Sequence, residues 1–400
     1  MLKLLAMVVG PLAGSTGTAI CEELTLLHFH RDRFNLVDAV HYAFAEKADL
    51  VLHEYGGWVF EYHDGSSVME RLVGHSETSG IPHVLPAGNL ASSRRSVRGT
   101  LEAGATQRIT MRLPGRGIEV LYGSVLWRGL GELQLRLKPR GGDLASVPNN
   151  AWQAQQLDRP RRQVLGVYRQ NERGTHKLDW MVYGWRDGLV RLPDGDWVME
   201  LHNPTEEAVS FVVRVADNKT SWIGVAHFRG GDLDTKTSTV TWPATAAGEY
   251  GLAVFAYAGR ADRAGGLDSE ATGDLRSYSG HGPLLSGATL RGVASPDNPS
   301  TTWPASKSEV GHGGYGSFNG TSGAGPHVAG AMALLVGAGH SAVRAMQLLH
   351  ESAEVDAQVE AGPPGAWGAG KLRLDRALFV EELAPLDAPV VAPQPDEPGI

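Results

Sequence analysis

Cysteine is nearly absent from this chain: Cys21 is the only one in 400 residues. No intrachain disulfide is possible, and the fold must hold by packing. Long apolar runs are absent as well. None approaches the roughly 20 residues needed to cross a bilayer, so no membrane span is expected. Positive charge is not in excess: 36 Lys and Arg against 44 Asp and Glu give a net charge of −8. That balance argues against nucleic acid or an anionic membrane as partner. Ligand-bearing strings such as "FHRDR" and "EYHDG" are too short and isolated for a metal site, and no cofactor is expected. The start, "MLKLLAMVVGPLAG", holds one short apolar run, Leu4–Val9, which reads as a buried parallel strand in preference to a signal peptide. The compartment is not determined by any of this.

What remains is the profile of a soluble globular protein, 42% hydrophobic and 20% charged. Glycine is abundant, at 51 residues, which suits many tight turns. Four hundred residues exceed one ordinary core, so two or more compact units are expected.

The texture of the sequence changes twice. Over 1–93, "KLLAMVV", "LTLLHF", "ADLVLHEYGG" and "IPHVLPAGN" read as strands, with "NLVDAVHYAFAEK" and "DGSSVMERLVGHSETSG" as intervening helices. Such alternation predicts a parallel sheet with crossover helices. Over 94–234 the pattern is short alternating strands, from "TQRITMRL" to "AVSFVVRVA", broken by turn residues. That predicts an antiparallel β-sandwich. Six of the ten tryptophans fall there: Trp127, Trp152, Trp180, Trp185, Trp197 and Trp222. A core role for them is preferred to sugar binding. The α/β texture returns over 235–382, and 383–400 is a proline-rich tail expected to be flexible. The fold class is therefore α/β, a doubly wound parallel sheet interrupted by an inserted antiparallel β-sandwich.

Chemistry concentrates in "GYGSFNGTSGAGPHVAGAMALLVGAG", 314–339. Ser322 precedes an apolar helical run, which places it at a helix N-terminus, where backbone N–H groups are free. Alone, that is a helix cap. The whole string resembles the active-serine segment of the subtilisin-like serine proteases, Gly-Thr-Ser-x-Ala-x-Pro-His-Val-Ala-Gly. Gly320, Thr321, Ser322, Ala324, Pro326, His327, Val328, Ala329 and Gly330 all match. The resemblance implies a serine endopeptidase with Ser322 as nucleophile and a peptide or protein as substrate. It implies a structural role for His327. "VLPAGN" at 84–89 resembles the loop that delivers the oxyanion-hole asparagine, here Asn89 after Gly88. "ADLVLHEYGGW" resembles the substrate-binding strand "ADVINMSLGG", with Glu54 and Tyr55 in place of Ser and Leu, followed by Gly56. "PATAAGEYGLAVFAYAGR" and "LRSYSGHGP" resemble the strand and turn ahead of the serine. Asn89 and Ser322 lie 322 − 89 = 233 positions apart. The sandwich fills that excess, and some clostridial germination proteases of this family look similar, with a jelly-roll domain inserted at the same point.

Two family motifs are missing from 1–88: the Asp-Ser/Thr-Gly turn and the His-Gly-Thr/His helix start. Four explanations compete. The chain can be an amino-terminally incomplete copy, the reading favoured because both absent motifs lie at one end. A second polypeptide can supply the pair. The protein can be a pseudoprotease that binds peptides without cutting them. Or a different base can serve, from His28, His30, His53 or Glu54. This chain alone is expected to be inactive or nearly so.

Overall fold

The apolar runs at the start of the chain form neighbouring strands of a parallel sheet. The computed structural model describes residues 2–8, 24–30 and 36–379, apart from 116, 130, 151–153, 158–161, 185–189, 220–225, 230–239, 242–243, 248–250, 260–269, 298–299 and 304–313. The first elements are β1 (Leu2–Val8), β2 (Leu24–His30), α1 (Leu36–Ala45), β3 (Leu50–Glu54), α2 (Val68–Ser79) and β4 (His83–Pro86). Leu50, Val51, Leu52 and His53 are all buried, as expected of an interior parallel strand.

The chain then turns to strands alone. These are β5 (Ser96–Leu101), β6 (Thr106–Leu113), β7 (Val120–Arg128), β8 (Gln134–Lys138), β9 (Ala145–Ser146), β10 (Gln155–Gln156), β11 (Arg162–Gln170), β12 (Thr175–Gly184), β13 (Gly195–His202), β14 (Val209–Asp217) and β15 (His227–Phe228). They make two antiparallel sheets, ordered β10-β11-β12-β7-β14-β5 and β15-β6-β13-β8-β9. Alternation along β8, with Leu135 and Leu137 buried and Gln134, Arg136 and Lys138 exposed, shows how one face of each sheet is hidden. Trp127, Trp180, Trp197, Phe211 and Phe228 fill the space between the sheets. The three described tryptophans are thus core residues; Trp152, Trp185 and Trp222 lie outside the described residues.

The α/β pattern resumes with β16 (Gly251–Ala258), β17 (Gly292–Asp297), the hairpin β18 (Ser300–Trp303) and β19 (Gly314–Ser317), and helices α3 (Thr321–Gly337), α4 (Ala342–Glu351), α5 (Ala357–Ala361) and α6 (Leu374–Phe379). The main sheet is ordered β17-β16-β4-β3-β1-β2, and every pairing in it is parallel. β4 and β16 are neighbours although the whole sandwich lies between them in sequence. The sandwich is therefore an excursion from one crossover. α3 lies across β3, β4, β16 and β17 and buries Ala324, Val328, Ala331, Met332 and Leu335. Among the described residues no single helix is long and apolar enough to cross a membrane.

The loop leaving β3 ties the two parts together. The Trp58 indole N–H donates to the Val215 carbonyl at 2.8 Å, and the Phe60 ring stacks on Tyr122 at 5.3 Å. The Asp64 carboxylate accepts from Asn171 at 2.8 Å and Thr175 at 2.7 Å, both on the sandwich.

Candidate active site

Ser322 is the second residue of α3 and is half-buried. The local sequence explains the helix start. Gly320 adopts φ 104°, a left-handed conformation open to glycine, and a Cβ there would press on Asn89 Nδ2 at 2.9 Å. Pro326 has no N–H, so the Ser322 carbonyl lacks its ordinary intrahelical donor. First-turn amides have no carbonyl four residues back, which leaves partial positive charge around Ser322.

Asn89 is brought beside this turn. Its Oδ1 accepts from the Thr321 amide at 2.8 Å and from the Thr321 hydroxyl at 3.1 Å. The Thr321 hydroxyl oxygen in turn accepts from the Gly88 amide at 3.0 Å. With Oδ1 held, the carboxamide has one orientation, and Nδ2 is the end that faces Gly320. A buried network steadies the turn from behind. The Arg276 guanidinium pairs with Asp297 at 2.8 Å, Tyr278 donates to Asp297, and the Gly320 amide donates to the Tyr278 hydroxyl at 2.9 Å. Burial pushes the Tyr278 phenol up, with the Asp297 charge adding to it, so the phenol stays a donor. The sequence reading missed this network. Arg276 and Tyr278 sit inside "LRSYSGHGP", but nothing local links that turn to Asp297.

Glu54, the last residue of β3, points toward α3, with its Oε1 beside Gly325, three residues after Ser322. Burial pushes its carboxyl well above the ordinary carboxylate range, and the Ser322 side chain acts in the opposite direction. Tyr55, the next residue, goes the other way, because adjacent strand residues alternate faces. Its ring packs with the apolar side chains of α1 and α2, and its hydroxyl meets His53 Nδ1 at 3.0 Å. The structure therefore does not bring the Tyr55 side chain to Ser322. Gly56 is exposed just beyond the strand end.

His53 and His327 are otherwise engaged. His53 Nε2 and His83 Nδ1 lie 2.6 Å apart in a buried pair on the Tyr55 side of the sheet. This removes His53 from the alternative bases. His28 and His30 are on β2, an edge strand separated from β3 by β1, and their side chains lie outside the described residues. His327 Nδ1 donates to the Gly323 carbonyl at 2.9 Å, within its own helix. Among the described residues no group of three or more His, Cys, Asp or Glu could hold a metal ion.

A serine opening a buried helix on a parallel sheet, with an anchored asparagine delivered by a neighbouring strand, defines a class of serine hydrolase. The chain belongs to the subtilase family, whose model matches residues 170–370, half of its length. The structure of the CspB protease of Clostridium perfringens is similar at a TM-score of 0.68 and 16% identity, covering 89% of this chain and 74% of that one. At that identity the likeness is one of fold. Weaker likenesses include the prenylagaramide maturation protease PagA, with TM-score 0.41, 12% identity and coverage of 94% and 92%. Another is the psychrophilic subtilisin-like protease Apa1 of an Antarctic Pseudoalteromonas, with TM-score 0.30, 13% identity and coverage of 96% and 94%. No curated protein matches the chain.

Proposed function

We propose that this chain carries the nucleophile and oxyanion site of a serine endopeptidase, acting on peptide or protein substrates by acyl transfer through Ser322. The observation that supports it most is the clamp of Asn89 on Thr321. It turns one amide donor, Nδ2, toward Gly320, two residues before the serine, whose own N–H lies in the first turn of the helix. A scissile carbonyl held against Ser322 Oγ would develop its negative charge between these two donors. The family's Asp-Ser/Thr-Gly and His-Gly-Thr/His motifs are absent from residues 1–88. An upstream segment or a second polypeptide supplies them in one version of this reading; a group already beside Ser322 replaces them in another. Where neither is in place, the chain turns over substrate barely, because removing the base costs about 10⁴-fold or more.

Fluorophosphonate labelling tests the reading, since it needs an activated serine. Covalent label is expected on Ser322, none on Ser322→Ala, and about 10²–10³-fold slower labelling on Asn89→Ala, the range for loss of one oxyanion donor. Label on another serine would overturn it. Absence of label together with saturable peptide binding would favour the second reading, a pseudoprotease, which the missing motifs support.

A further inference from the structure

We propose that Glu54 is the proton acceptor for Ser322, taking over the transfer that the family assigns to a histidine. This rests on the reading of Ser322 as nucleophile.

The placement carries the argument. Glu54 ends β3 at the register of Val8 on β1, at the carboxyl edge of the sheet over which α3 begins. Its carboxyl packs against α3 at Gly325, three residues after Ser322. Room for it comes from Gly325, where a Cβ would lie 2.9 Å from Glu54 Oε1 and 3.0 Å from Pro86 Cγ. Oε1 is buried with no protein hydrogen-bond partner, so the carboxyl keeps a vacant acceptor within one turn of the serine. A buried polar atom without a partner is costly, and a catalytic role is one physical reason to keep it.

The surrounding elements hold few titratable groups. α3 has only His327, bound to the Gly323 carbonyl, and β4 only His83, paired with His53 from β3. On β17, Asp297 is neutralised by Arg276. β1 carries only Lys3, which precedes the residue level with Leu50 at the far end of β3. Burial and Ser322 are what act on the Glu54 carboxyl. Burial therefore holds the carboxyl above the ordinary carboxylate range, which makes it a stronger base once ionised.

The step balances. The Glu54 carboxylate takes the Ser322 hydroxyl proton as Oγ bonds to the carbonyl carbon, and the carbonyl π pair moves to oxygen. Glu54 then returns that proton to the amide nitrogen as the C–N bond breaks. The same carboxylate then takes a proton from a solvent water as the water oxygen bonds to the acyl carbon, and returns it to Ser322 Oγ as the ester C–O bond breaks.

The rate of fluorophosphonate labelling at Ser322 is measured from pH 6 to 10 for the wild type, Glu54→Gln and Glu54→Ala, with a melting temperature for each. The wild-type rate should rise about tenfold per pH unit and then level where Glu54 is ionised. Glu54→Gln, which keeps shape and hydrogen bonding, should fold normally, lose the plateau and label about 100-fold more slowly. If Glu54→Gln labels within threefold of wild type along the same profile, Glu54 is not the base, while Ser322 remains the nucleophile. If the wild type takes no label at any pH, both readings fall.

Discussion

Lowering the pH should unfold this protein through His83. The ring is fully buried, with its Nδ1 against His53 Nε2, and burial pushes its pKa down to about 3. In the unfolded chain it returns to about 6.5. Between those values the unfolded state binds one more proton than the folded one. Stability is therefore complete above about pH 6.5 and drains away as the pH falls toward 3. For this one group the loss is about 2 kcal/mol at pH 5 and about 3 kcal/mol at pH 4. His53 is pushed the same way, by burial and then by His83, so it adds to the loss. Against a total of about 5–15 kcal/mol this is large. The perturbation is His83→Asn, which keeps a side-chain polar atom near the position of Nδ1 but does not titrate. Urea midpoints at pH 7.5 and 5.0 are the assay. The variant should lose about 1–2 kcal/mol at pH 7.5 from the poorer hydrogen bond. Its further loss on going to pH 5.0 should be about 2 kcal/mol smaller than that of the wild type. Equal losses in the two proteins, or an NMR titration of His83 centred above about 5.5, would refute the reasoning.

Two substitutions probe the frame of the site. Gly88 has φ 92°, and a Cβ there would lie 2.5 Å from Thr241 Cγ2; Gly88→Ala should cost about 2–4 kcal/mol in thermal unfolding and slow labelling of Ser322 by shifting the amide that holds Thr321. Asp64→Ala strands Asn171 and Thr175 at the sandwich contact; it should cost about 2–4 kcal/mol and expose the loop after β3 to limited proteolysis, whereas an unchanged cleavage pattern would mean that Trp58 and Phe60 hold the loop unaided.

Much of this molecule is written in local pattern. Short apolar runs such as "LVL" and "GLAVFAYA" read as strands covered on both faces, and alternation in "GELQLRLK" as a strand covered on one. The string from Gly320 to Gly330 was specific enough to place Ser322 at a helix start. These features depend on side-chain period and on residues a few positions apart, and a sequence displays both. What joins distant segments was not legible. That β4 pairs with β16 across the whole sandwich, and that Asn89 clamps a threonine 232 positions away, follows from sheet closure, which no short stretch encodes. Glu54 and Tyr55 read alike as departures in a substrate-binding strand. Only the packing of β3 between α3 on one face and α1 with α2 on the other sent one toward α3 and its neighbour to a histidine pair.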